Sequence, residues 1–151
     1  MDLILWRHAE AEDTTPDMSR HLTPKGQKQA RRMGEWLASQ LPEGCKVLVS
    51  PAVRTLQTVD PLGRKFKIID ALAPGASPED VLRAANWPNS REAVLVVGHQ
   101  PTLGQVAALL LCGQPQSWDM KKASAWWFVQ RDAKDADSVY LKAVMTADLV
   151  K

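Results

Sequence analysis

The 151-residue sequence predicts an α/β fold, a single-domain three-layer sandwich in which a mostly parallel sheet carries helices on both faces. Three observations predict it. Short continuous apolar runs that stop abruptly at polar or glycine-containing turns recur along the chain and read as buried strands. Segments with apolar residues at three- and four-residue spacing lie between those runs and read as amphipathic helices. Strands that alternate with helices require right-handed crossovers, which lay the strands parallel.

Taken in order, Leu3-Ile4-Leu5-Trp6 is the first buried run and ends at Arg7-His8. Pro24 to about Leu41 is the first helix, with Ala30, Met33, Trp36, Leu37 and Leu41 as its core-facing stripe. Val47-Leu48-Val49, ahead of Ser50-Pro51, is a second strand, followed by a helix from Pro51 to about Val59. Lys67-Ile68-Ile69 is a weaker strand, and Pro78 to about Ala85 a short helix. Ala93-Val94-Leu95-Val96-Val97 ends at Gly98-His99, with a helix from Pro101 to about Cys112 behind it. Ala125–Gln130 and Val139–Met145 close the chain as two strands with no helix between them, so at least one must run antiparallel. Thr23-Pro24, Ser50-Pro51 and Ser77-Pro78 each place an oxygen-bearing cap before a proline at the first helical position. Trp126 and Trp127, adjacent on one strand, are expected to send one ring into each layer.

With 45% hydrophobic and 24% charged residues the chain has ordinary globular composition, which excludes collagen, low complexity and disorder. Residues 1–151 form one domain, without an internal repeat or linker. Nineteen Lys and Arg against seventeen Asp and Glu leave a net charge of +2, far from the basic field of a non-specific nucleic-acid binder. A nucleic-acid role would need a local patch. Cys45 and Cys112 form no CxxC pattern and are expected to be buried free thiols in a reducing compartment. The run Leu3–Trp6 follows Asp2 with no basic region before it, so no signal peptide is read, and Gly98–Thr102 and Gly113–Pro115 interrupt the long uncharged stretch Ala93–Trp118. The expectation is a soluble, cytoplasmic monomer that contacts neither membrane nor nucleic acid.

In open α/β sheets the active site lies beyond the carboxyl ends of the strands. Three of those ends carry Arg7-His8, Ser50-Pro51-Ala52-Val53-Arg54 and Gly98-His99. Arg54 falls in the first turn of its helix, where its side chain leans back toward the strand end, and that helix start adds free N–H groups. Two guanidinium forks beside two imidazoles suit a tetrahedral phosphate. A neutral imidazole can attack phosphorus and carry the phosphoryl group, and flanking arginines disfavour the imidazolium. The second histidine can donate to phosphoryl oxygens as charge develops. A metal site is a poor fit, because adjacent arginines repel a cation and no HExxH or acidic cluster accompanies the histidines. No cofactor is implied.

Arg7-His8-Ala9 resembles the Arg-His-Gly signature of the histidine phosphatase superfamily, whose fold is phosphoglycerate-mutase-like. The similarity continues through Leu22–Ala30, through Ser50–Thr58 and through Val97–Pro101, in the superfamily's order. Within that superfamily the chain resembles the SixA-type phosphohistidine phosphatases. The resemblance implies that His8 is the nucleophile, that Arg7 and Arg54 clamp phosphate, and that His99 is the second pocket histidine. It adds Arg20 as a rim residue and implies a phosphohistidine-containing protein as substrate and inorganic phosphate as product. The alternatives are a small-molecule phosphomonoesterase of the same superfamily and a non-catalytic phosphate-binding module. Ala9 replaces the signature glycine, which is harmless where the position needs no positive φ. The mutases' general acid has only Asp70 as a weak counterpart, while Glu79 and Asp80 read as first-turn helix acids. A missing acid hampers ester cleavage more than release of an imidazole whose other nitrogen carries a proton.

His21 reads as exposed and unpartnered, and Arg64–Lys67, Lys121-Lys122 and the Lys25, Lys28, Arg31, Arg32 set read as solvated surface. The short interval from Arg54 to His99 leaves no room for a capping segment, so the pocket is expected to be open.

Overall fold

The computed structural model describes residues 1–151. Its strands are β1 (Asp2–Arg7), β2 (Lys46–Val49), β3 (Lys67–Ile68), β4 (Val94–Gly98), β5 (Ala125–Gln130) and β6 (Val139–Met145), and its α-helices are α1 (Pro24–Gln40), α2 (Val53–Val59), α3 (Pro78–Ala84) and α4 (Thr102–Cys112). The strands make one sheet in the order β3-β2-β4-β1-β5-β6. The β1–β4, β4–β2 and β2–β3 pairs are parallel, and β5 is antiparallel to both of its neighbours. The short connection from β5 to β6 makes a hairpin and cannot cross over the sheet, so those two strands run antiparallel to each other.

Alternation along the strands divides the core into two layers. Ile4 and Trp6 of β1 pack with Ala30, Met33 and Leu37 of α1 and Val59 of α2. Leu3 and Leu5 pack with Val81 of α3 and Leu103, Val106 and Ala107 of α4. Trp127 joins the first layer and Trp126 lies against the second, as expected. Central β4 is buried at every position, which its unbroken apolar sequence requires. Burying each large aliphatic side chain contributes about 1.5–3 kcal/mol.

Two helix starts have the expected chemistry. Thr23 accepts the Gly26 N–H at 2.9 Å with Pro24 behind it, and Ser77 and Asp80 form a reciprocal capping box. The third does not. Helix α2 begins at Val53, capped by Ala52 without a side-chain bond, and the Ser50 hydroxyl lies too early to cap it, accepting the Ala52 N–H and meeting a histidine ring. Cys45 is half-buried and Cys112 exposed, so both are free thiols but neither is the buried thiol expected. No helix is long and apolar enough to cross a membrane.

The register brings the site together. Arg7 aligns with Gly98, and Val49 with Val97, so β1, β2 and β4 end at one edge. The ladder runs one residue further, with the His8 N–H on the Gly98 carbonyl and the Ser50 N–H on the Val97 carbonyl, both at 3.1 Å. The segment ahead of β5 is tied alongside. Arg7 donates its N–H to Ser124 at 3.0 Å, and the Ala123 N–H bonds the His8 carbonyl at 3.1 Å.

Candidate active site

His8 leaves β1 on the sheet edge and is 7% exposed. Its Nδ1 lies 2.7 Å from the Ala9 carbonyl oxygen, which can only accept. Nδ1 therefore carries the proton and Nε2 keeps its lone pair. Burial pushes the ring down to about 4; Arg54, Arg7 and Arg20 push the same way and the Ala9 carbonyl opposes. The imidazole is neutral at pH 7, with its nucleophilic nitrogen free. Ala9 has no positive φ, and its N–H bonds Thr58 Oγ1 at 3.0 Å, so the missing signature glycine costs nothing here.

His99 follows β4 and is 4% exposed, its ring centroid 5.3 Å from that of His8. Its Nε2 lies 2.7 Å from Ser50 Oγ, which also accepts the Ala52 N–H at 3.3 Å. The arrangement that uses every proton has the Ser50 hydroxyl donating to Nε2, which leaves Nδ1–H as a donor. Burial first, then His8 and Arg54, pushes His99 down to about 3, with Asp17 opposing and Arg20 adding to the depression.

Arg54 projects from the first turn of α2, is 4% exposed, and donates to the Asp17 carbonyl at 2.8 Å and to Asp17 Oδ2 at 3.2 Å. Arg20 Nε lies 3.3 Å from Asp17 Oδ1, within ion-pair range but off hydrogen-bond alignment. Arg7 spends Nη1 on the Met120 carbonyl at 2.6 Å; burial lowers its pKa and Asp119 opposes. Five buried side-chain polar atoms lack a partner, and four of them are Arg7 Nε, Arg20 Nε, Arg54 Nε and His99 Nδ1. Buried polar atoms left unpaired cost roughly 1–3 kcal/mol each. Here they gather at one place, and the guanidinium nitrogens can only donate. An anion with several acceptor oxygens would satisfy them.

The structure thus brings together His8, His99, Arg7, Arg54 and Arg20. Asp70 is not among them: it is exposed at the start of the turn Asp70–Leu72 and bonds to no site residue. His21 is exposed as expected but not unpartnered, since Gln57 Nε2 donates to its Nδ1 at 2.9 Å. No cluster of three His, Cys, Asp or Glu side chains that could hold a metal ion forms. Ahead of α2 the Ala52 N–H is taken by Ser50 Oγ, while the Val53 and Arg54 N–H groups that open the helix have no backbone acceptor.

Two residues that contact the site escaped the sequence reading: Ser50 is hydrogen-bonded to His99, and Asp17, in the turn Asp17–Ser19, pairs with Arg54. This contact on Arg54 comes from the loop between β1 and α1 and not from the Arg54–His99 interval. The Asp17-x-x-Arg20 spacing was the available signal, since one turn places both side chains on one side.

Comparison with known proteins gives the family. The histidine phosphatase superfamily (branch 1) matches residues 3–74. The chain is 31% identical over 126 residues to the phosphohistidine phosphatase SixA homolog of Haemophilus influenzae, covering 73% of this chain and 77% of that protein. It is 31% identical over 124 residues to phosphohistidine phosphatase SixA of Escherichia coli, covering 76% of each. The solved structure of protein histidine phosphatase SixA complexed with tungstate superposes over 100% of both chains, with a TM-score of 0.78 at 24% identity. With both curated relatives covered over more than two thirds of their length and the strand-end residues in place, the chain belongs to the histidine phosphatase superfamily and has its phosphoglycerate-mutase-like fold.

Proposed function

We propose that the protein is a phosphohistidine phosphatase that works through a covalent phosphoryl group on His8 Nε2. The observation that carries the reading is the set of unpartnered donors, Arg7 Nε, Arg20 Nε, Arg54 Nε and His99 Nδ1, gathered around a neutral imidazole. Arg7, Arg54 and Arg20 hold the phosphoryl oxygens, and His99 Nδ1–H donates to them as charge shifts in the transition state. In the first step the His8 Nε2–P bond forms as the substrate's N–P bond breaks, and the leaving imidazole departs neutral when its other nitrogen is protonated. In the second step water attacks phosphorus and the Nε2–P bond breaks. His8 leaves neutral because the Ala9 carbonyl holds its Nδ1 proton, and the water's protons leave with the phosphate.

The choice of a phosphorylated imidazole over a phosphate ester is supported by the carboxylates. Asp17, which pairs with Arg54, is held below the usual carboxylate range: burial opposes, but its hydrogen bond to Arg54 and the charges of Arg54 and Arg20 prevail. It is a poor proton donor, and an alcohol leaving group needs one. The names of the Haemophilus influenzae and Escherichia coli relatives point the same way. We extend the reading to a metal-independent monomer acting in the cytoplasm, which the two free cysteines suit. The test compares a phosphoramidate with an aliphatic phosphomonoester, with chelator present. A kcat/KM at least a hundredfold higher for the phosphoramidate is expected. Equal turnover, or loss of activity on chelation, contradicts the proposal.

A further inference from the structure

We infer that the groove leading outward from Arg7, between the start of α1 and the Lys121-Lys122 turn, docks an acidic segment of the phosphorylated partner protein. The inference rests on the phosphohistidine-protein reading above and adds the chemistry by which that partner is recognised. Lys25, Lys121 and Lys122 line the cavity that reaches Arg7, and the same three line the next cavity outward, where Lys28 and Arg32 join them. Glu10 and Asp119 line the inner cavity and Asp148 the outer one, so along the groove Arg7 and five Lys or Arg side chains face three carboxylates, a local excess of three in a chain whose net charge is only +2. Charge that is nearly balanced over the molecule is concentrated here, continuous with the catalytic pocket.

The concentration is built and not incidental. Lys25, Lys28 and Arg32 recur at three- and four-residue spacing on one face of α1, where like charges destabilise the helix. None of the three forms an ion pair. The opposite wall is fixed to the active-site strand. The Ser124 N–H bonds the Lys121 carbonyl at 2.9 Å, the Ala123 N–H bonds the His8 carbonyl at 3.1 Å, and Arg7 bonds Met120 at 2.6 Å. Lys121 and Lys122 are thereby held at a set position relative to His8. Lys121 is opposed by Asp148 at 3.3 Å and Lys122 by Glu10 at 3.8 Å, both exposed enough for an incoming carboxylate to compete. No aromatic side chain lines either cavity, so the groove lacks the stacking surface that nucleic-acid bases would use. An acidic protein segment fits better.

The test uses the triple variant Lys28→Gln/Arg32→Gln/Lys121→Gln, whose three positions lie outside the catalytic machinery. Two synthetic phosphohistidine peptides are compared, one with Asp and Glu flanking the phosphohistidine and one with Ser and Gln. Phosphoramidate serves as the substrate too small to reach the groove. Binding of the unphosphorylated acidic peptide, fluorescently labelled, is followed by anisotropy, with a labelled single-stranded oligonucleotide in parallel. Wild type is expected to prefer the acidic peptide by about tenfold in kcat/KM at low ionic strength, a preference that salt reduces. The triple variant is expected to lose that preference and the anisotropy signal while turning over phosphoramidate as wild type does. Equal kcat/KM for the two peptides in wild type, or an undiminished preference in the variant, overturns the inference. So does oligonucleotide binding tighter than that of the acidic peptide. Failure of both phosphohistidine peptides as substrates while phosphoramidate is hydrolysed overturns the substrate reading, and the anisotropy measurement then decides the dock by itself.

Discussion

Asp17 holds the Arg54 guanidinium, which in the proposed mechanism binds the phosphoryl group, so removing its charge should strengthen anion binding. In Asp17→Asn the backbone carbonyl that accepts from Arg54 Nη1 is retained and only the carboxylate is lost. At 3.2 Å the gross attraction to Arg54 is large, but the Asp17 side chain is 58% exposed and solvent screens it. Exposed pairs contribute a net 0.2–1 kcal/mol or so, and two arginines sharing one carboxylate place this one near the upper end. About 1 kcal/mol corresponds to about a fivefold change in an equilibrium constant. Inorganic phosphate should therefore inhibit phosphoramidate hydrolysis by Asp17→Asn with a Ki about fivefold lower than for wild type, an advantage that shrinks as salt is raised. Steady-state inhibition at two ionic strengths measures it. Unchanged or weaker phosphate inhibition refutes the idea that Asp17 competes with substrate. A collapse of kcat instead makes Asp17 a proton-transfer group.

Ser50→Ala removes the only partner of His99 Nε2 and should lower kcat for phosphoramidate by tenfold or more with the far-ultraviolet circular dichroism unchanged; wild-type kcat would show that Ser50 does not orient the ring. Gly26 is where α1 rests on the loop after His8, and a Cβ there would fall inside contact distance of the Glu10 carbonyl oxygen. Gly26→Ala should cost about 1–3 kcal/mol in urea unfolding, and an unchanged midpoint would contradict the close approach. Acid should destabilise the fold through the two buried imidazoles. Their folded values lie below 6.5, so the unfolded chain binds protons first: this stability is fully present above about pH 6.5 and is lost as pH falls toward about 4 for His8 and about 3 for His99. His8 alone accounts for about 3 kcal/mol of that loss. Unfolding free energies of His8→Asn/His99→Asn should fall less steeply than those of wild type between pH 6.5 and 4, and parallel curves would count against neutral buried rings.

What was legible in the sequence is local or periodic. Leu3–Trp6 and Val94–Val97 could be read as strands because buried parallel strands are continuous apolar runs, and the stripe Ala30, Met33, Leu37 because a helix returns to one face every three or four residues. His8, His99 and Arg54 followed from those boundaries, since strand ends in such a sheet share one edge. The residues missed depend on register and on loop path. Ser50 before Pro51 has the local chemistry of a helix cap, and only the parallel register beside β4 gives its hydroxyl to His99. Asp17 lies in a loop without periodicity, and its approach to Arg54 is set by distant bonds such as those of Leu22 to Gln57 and Ala9 to Thr58. Lys25, Lys28 and Arg32 were legible as one wet helix face. Their joining with Lys121 and Lys122 was not, because it requires the segment before β5 to be tied along the end of β1.

The central claim is that His8 Nε2 takes the phosphoryl group. Rapid quenching in alkali after mixing the enzyme with a ³²P-labelled phosphohistidine peptide, followed by peptide mapping, tests it most directly. The account predicts a transient, alkali-stable and acid-labile label on the peptide containing His8, absent from His8→Ala, which should also be inactive. Full turnover by His8→Ala, or label on His99 with none on His8, would contradict it.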